Sequence, residues 1–167
     1  SSTTSPRCVS NSPKQARHMS YLREIADSLA NGLAAVPWDI AGTVVDRRNW
    51  ATVDVSDMTL PLILVTPGAA EVQRISRNTS QTDYSATVFI GRRVETDADV
   101  DSMIDLADQA MLHIRAHAWQ DQFPDDVTSP QTLSIELNPD DALNERNVWR
   151  AVIEATYRVF ELDELPA

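Results

Sequence analysis

Apolar and polar positions change their period once between Gln81 and Trp119, from two to about 3.6. In the run Tyr84–Ile90, Tyr84, Ala86, Val88 and Ile90 alternate with Ser85 and Thr87, which predicts a strand with one buried face. Phe89 falls on the opposite face, so that face is expected to be partly covered. Gly91, Arg92 and Arg93 close the strand. Thr96 then supplies a capping hydroxyl, with Asp97 and Asp99 at the positive end of a helix dipole. Val100, Met103, Ile104, Ala107, Met111, Ile114 and Ala118 recur at steps of three and four, one stripe of a helix about six turns long.

The remaining segments supply a sheet for that helix. Ser20 to Val36 predicts a first helix, capped by Ser20, with Leu22, Ile25, Ala26, Leu29 and Leu33 in one stripe and Pro37 as its stop. Trp38 and Ile40 open a linker to a turn at Arg47-Arg48-Asn49, and Trp50 to Val55 alternates as a strand. Leu60 to Val65 is the most apolar run and reads as a buried strand, with Pro61 at its start. Thr66-Pro67-Gly68 signals a turn, Val72 to Arg77 a weak strand, and Arg77 to Ser80 a polar turn. After a loop over 121–130, Leu133, Ile135 and Leu137 alternate with Ser134 and Glu136. Asn138 to Asp141 reads as a turn. In the last strand Trp149, Ala151, Ile153, Ala155, Tyr157 and Val159 share one face, opposite Arg150, Val152, Glu154, Thr156 and Arg158. Its length exceeds that of an ordinary strand, so its end is expected to project or to join a neighbour. The order helix, strands, helix, strands predicts an α+β fold: a mainly antiparallel sheet with two helices packed on one face.

Composition adds a division of the chain. Residues 1–18 are rich in Ser, Thr and Pro, have almost no large apolar side chains, and form a flexible basic extension. Residues 19–167 form a single α+β domain, and Met19 is a candidate native start. The formal net charge is −11; Arg7, Lys14 and Arg17 give the extension +3, leaving −14 for the domain. A body this acidic repels a phosphate backbone, which argues against reading DNA or RNA. A solvated, soluble surface is the better reading of the acidity. No apolar run reaches the roughly 18 residues of a membrane span, and the N-terminus lacks a signal-peptide core. One cysteine, Cys8, excludes an internal disulfide. Assembly in the cytoplasm is expected.

No constellation of residues carries chemistry. His113 and His117 share a helix face, but Ile114 stands where a helical zinc site needs Glu, so a solvated face is the better reading. Asp97, Asp99 and Asp101 begin like a calcium loop, yet Ser102 and Asp108 occupy the positions that need Gly and Glu. Asn78-Thr79-Ser80 matches a glycosylation acceptor, and the chain's four glycines form no phosphate loop. No catalytic, cofactor-binding or metal residue is assigned, and an enzyme is not expected.

The opening helix Tyr21 to Val36, the run Leu60–Val65, the strand Tyr84 to Ile90 with its acid-capped helix, and the closing strand Val148 to Leu162 together resemble the tail terminator proteins of long-tailed bacteriophages. That family belongs with other small neck and tail-completion proteins. The resemblance covers residues 20–162, rests on pattern rather than on a short signature, and does not extend to residues 1–18. It implies a non-enzymatic virion protein without cofactor, located in the tail or neck and assembled in the host cytoplasm. It also implies a homo-oligomeric, hexameric ring that caps the tail tube and meets the head–tail connector. DNA would pass through the ring without specific binding, and no membrane is involved. On this reading part of the acidic charge faces the channel, while Arg92 and Arg93 lie at subunit contacts. Residues 1–18 are expected to be held by a neighbouring subunit. Another neck or head-completion protein, a stand-alone acidic binding or regulatory domain, and a small hydrolase are the alternatives.

Overall fold

In the computed structural model, residues 21–49, 59–116, 123–124, 126–127, 129–137 and 147–162 are described. The elements run α1 (Tyr21–Ala35), β1 (Val44–Arg47), β2 (Leu62–Arg74), β3 (Thr79–Arg93), α2 (Asp97–Ala116), β4 (Thr132–Leu137) and β5 (Val148–Leu162). The strands form one sheet in the order β1-β2-β3-β5-β4. β1 runs parallel to β2, and the other three pairings are antiparallel. The fold is therefore α+β with a mainly antiparallel sheet, as the order of segments predicts.

Register explains why one face is buried. Val88 pairs with Ile153, Ala86 with Ala155 and Ile90 with Ala151, so the apolar positions of β3 and β5 point the same way. Ile63 and Val65 of β2 extend this face. Both helices pack on it: α1 through Tyr21, Ile25, Ala26, Leu29 and Leu33, α2 through Met103, Leu106, Ala107, Ala110 and Ile114. Alanines at 107, 110, 151 and 155 keep the layers close. The opposite face carries a smaller cluster of Leu64, Phe89 and Val148 with Val152 at its margin, and the Arg150 guanidinium lies 6.0 Å from the Phe89 ring centre. Phe89, out of step in the sequence, marks this second cluster.

Several elements differ from expectation. The buried face of α2 is turned about 60° from the expected stripe, at 100° per residue. Leu106 and Ala110 are in the core, whereas Val100, Ile104 and Met111 are half-buried along its margin. The expected stripe follows the largest apolar side chains, but the close approach of the helix favours the side with the two alanines. The linker contains β1, which the amide of Val44 joins to the carbonyl of Pro61 at 2.9 Å. The expected strand Trp50–Val55, the Ser20 cap, Ala118, the Asn138–Asp141 turn and residues 1–18 lie outside the described residues.

The largest correction concerns Thr66-Pro67-Gly68. No turn forms there; β2 runs straight through to Arg74, and the turn comes at 75–78. The register slips between Pro67 and Ala70, a bulge that accommodates a proline with no N–H to give the ladder. The Ser85 hydroxyl substitutes for the lost ladder bonds: it accepts from the Ala69 amide at 2.7 Å and donates to the Ala69 carbonyl at 3.2 Å. Gly68 is required by the same approach, since a Cβ there would sit 2.4 Å from Ser85 Oγ and 2.8 Å from its carbonyl oxygen.

Two stability measurements check this account. Leu106→Ala should cost about 2–5 kcal/mol in chemical denaturation, and Ile104→Ala, half-buried, less than about 2 kcal/mol; the reverse order would mean that α2 is rotated differently. Gly68→Ala should cost about 1–3 kcal/mol, because the clash includes backbone. A neutral or stabilising result would remove the bulge as described.

Candidate functional site

The end of β3 carries Arg92 and Arg93, for which the family resemblance implies a subunit contact. Arg92 stands opposite Trp149 and is half-buried; Arg93 stands opposite Val148 and is exposed. Arg92 also lies near the start of α2, where a capping box forms. The Asp99 carboxylate accepts from the amides of Glu95 at 3.0 Å and Thr96 at 3.3 Å, and the Thr96 hydroxyl accepts from the Asp99 amide at 3.2 Å. The Glu95 amide first, with Thr96 and the Arg92 charge in support, holds the Asp99 carboxyl below its ordinary range. Asp99 in the calcium-like run thus serves the helix terminus. His113 is not simply solvated: its ring meets Trp38 edge-on at 6.4 Å. His117 lies outside the described residues.

At the other end of the sheet all three tyrosines of the chain converge. Tyr84 of β3 pairs directly with Tyr157 of β5. Tyr21 of α1 stacks on Tyr84 with centroids 5.3 Å apart, and Phe123 packs against Tyr157 at 5.2 Å. The Tyr84 hydroxyl donates to Glu161 at 2.7 Å, and the Tyr21 hydroxyl donates to Asp126. Burial first, then the Glu161 carboxylate, pushes the Tyr84 hydroxyl well above the ordinary tyrosine range; burial alone does the same to Tyr157. Only tertiary structure brings these residues together: Tyr84 and Glu161 stand 77 positions apart. The cluster fastens α1, Phe123 and Asp126 to the far end of the central strands.

Beyond this cluster β2, β3 and β5 run on together as paired strands. Exposed apolar side chains gather there: Val72 at 65%, Ile75 at 53%, and Phe160 and Leu162 at 61% each. Arg74 and Arg77 are exposed beside them. β4 pairs with β5 only from Ala151 to Thr156, so among the described residues no strand pairs the outer edge of β5 beyond Tyr157. Such an edge is a template for another chain. The sequence flags the projecting strand β5, but it does not flag the hairpin arm, because the strand–turn reading of 66–77 hides it. Val72 and Ile75, isolated among polar residues, are the signal that was present.

The outward side of α2 is a third surface. Asp97, Asp101, Asp105 and Asp108 are all exposed, and at 100° per residue they line the side opposite the buried face. Leu112, 52% exposed, continues that line. An open groove between α1 and the end of β1 is lined by Arg23, Asp27, Arg47, Arg48 and Asn49. There Arg47 pairs with Asp27 at 3.0 Å and Arg48 with Asp46 at 2.9 Å, so acids of the chain already answer these cations. Among the described residues no three His, Cys, Asp or Glu side chains are grouped to hold a metal ion, and no helix is long and apolar enough to cross a membrane.

The tyrosines make stability depend on alkaline pH. In the folded chain Tyr84 and Tyr157 resist ionisation, while in the unfolded chain they ionise near the ordinary value of 10. Their contribution is intact below that pH and is lost as pH rises through it toward the folded-state value. Unfolding free energy should therefore fall above about pH 10, and Tyr84→Phe should flatten the fall. An unchanged slope in the variant would assign the effect elsewhere. Neither protein-family models nor curated proteins yield a match to this chain.

Proposed function

We propose that this chain is a structural virion protein, a tail terminator. Its subunits close a ring, six in number, on the end of the tail tube of a long-tailed bacteriophage and present a surface to the head–tail connector. The observation that carries the reading is the sheet end beyond the tyrosine cluster. Phe160 and Leu162 are exposed on the stretch of β5 whose outer edge no described strand pairs, Val72 and Ile75 are exposed two strands away, and exposed apolar side chains at such a sheet end suit a subunit of an assembly. The α+β fold with both helices on one sheet face agrees with what the sequence resemblance implies.

The charge supports the same role. DNA must pass through such a ring in packaging and ejection, and a wall that gathered phosphates would hold it through counterion release. The −14 body carries many carboxylates that can repel the backbone from the channel. Arg93, exposed at the end of β3, and Arg92 beside it remain available for carboxylates of a neighbouring subunit or connector.

Native mass spectrometry of the purified full chain tests the proposal. The expected species is a closed ring of six 18.5-kDa chains, alone or on addition of tail tube protein. Tails built without this chain should grow beyond their normal length and fail to join heads. A lasting monomer that leaves tail length unchanged would overturn the assignment.

A further inference from the structure

The proposed ring, on which this inference rests, needs two different surfaces on each subunit. A cyclic assembly of more than two copies is held by heterologous contacts, in which one patch meets an unlike patch on the next copy. The molecule carries two patches that are unlike and complementary. One is the hairpin arm at the β2–β3 turn, where Arg74 and Arg77 flank Ile75 and Val72, all four exposed. The other is the outward side of α2, where Asp97, Asp101, Asp105 and Asp108 lead to the exposed Leu112.

Charge, apolar content and size agree. Four aspartates on one side of α2 repel a second copy of themselves, so this surface disfavours a symmetric self-contact. A patch carrying two arginines relieves that repulsion. Ile75 and Val72 offer apolar surface that a purely ionic contact would leave wet, and Leu112 at the end of the acidic line offers the counterpart. The aspartates span about 17 Å at 1.5 Å per residue. The arm from Ala70 to Arg74 spans about 13 Å at 3.3 Å per residue, and its turn adds several more. The bulge at Pro67–Ala70 matters here, because it lets β2 continue as a paired arm instead of turning back level with the helices.

We infer that the β2–β3 arm of one subunit docks on the acidic outward side of α2 in the next copy, with Arg74 and Arg77 against Asp101, Asp105 and Asp108 and with Ile75 against Leu112. The contact runs head to tail and has one direction around the ring. It assigns the acidic side of α2 to the subunit boundary, leaving other carboxylates for the channel. Other occupants of the arm, such as the tail tube protein, become outcomes of the test.

Charge swapping in the full chain decides the matter. Arg74→Glu with Arg77→Glu, and separately Asp101→Arg with Asp105→Arg, should each raise the concentration needed for half-assembly by at least about tenfold. Combining all four substitutions should restore assembly toward that of the original chain. Circular dichroism and the thermal midpoint show whether each variant is folded. A second measurement does not depend on tolerance of charge reversal: Ile75→Cys with Leu112→Cys, in a Cys8→Ser background, should give a cross-linked ladder of chains that neither single cysteine gives. Rings that form normally in both reversed variants, or a double-cysteine chain that gives no ladder while rings persist, overturn this contact and leave the ring reading standing. Cross-linking of Ile75→Cys to the tail tube protein, with none to a second copy, does the same. A chain that never assembles overturns both.

Discussion

The in-phase pairing of β3 with β5 is the constraint on which the rest of the structure depends. Fifteen consecutive pairs join Thr79–Arg93 to Val148–Leu162, bringing Ala86, Val88 and Ile90 onto the face of Ala151, Ile153 and Ala155. A slip of one residue would turn every apolar side chain of one strand to the wrong side. With that register set, the sheet has one continuous apolar face, and both amphipathic helices must lie on it to bury their own stripes. The parallel β1 and the short β4 complete the edges.

The two ends of this central pair serve different purposes. Where β3 meets α2, local chemistry dominates. Thr96 and Asp99 exchange hydrogen bonds with the first turn of the helix, and Arg92 lies close to the same carboxylate. At the far end, rings and carboxylates close the core. Tyr21, Tyr84 and Tyr157 meet under Phe123, with Glu161 and Asp126 accepting hydrogen bonds from the hydroxyls of Tyr84 and Tyr21. Beyond this cluster Thr82 and Val159 stay buried, while Val72, Phe160 and Leu162 are exposed. The bulge at Pro67–Ala70 sits at the same level, so the arm begins beside the tyrosines.

The charge distribution follows from the layering. α2 buries one side against the sheet and must place its acids on the other, which concentrates Asp97, Asp101, Asp105 and Asp108 along a single outward line. The arm, with Arg74 and Arg77 exposed around Ile75, has the opposite character. In the proposed ring, unlike surfaces on one subunit would give the next copy a single way to attach.

Strict periodicity was enough to reveal the main elements from sequence alone. The alternation over Tyr84–Ile90 and Trp149–Val159, the helical steps of α1 and α2, and the Thr96 cap are local properties of the chain, set by side-chain direction and backbone hydrogen bonding. They carried the α+β class and the single helix-covered face. Tertiary structure alone decided three things. The turn chemistry of Thr66-Pro67-Gly68 gave way to a bulge, because Ser85, sixteen or more positions away, supplied the missing hydrogen bonds. The helical stripe turned toward Leu106 and Ala110, because the alanines of β5 set how closely α2 could approach. The tyrosine cluster needed partners 77 positions apart to meet, the exposed arm needed β2 to run on past its bulge, and neither leaves a mark in local pattern. A side chain's neighbours along the chain set its periodicity; its neighbours across the sheet set whether it is core, bulge or docking surface.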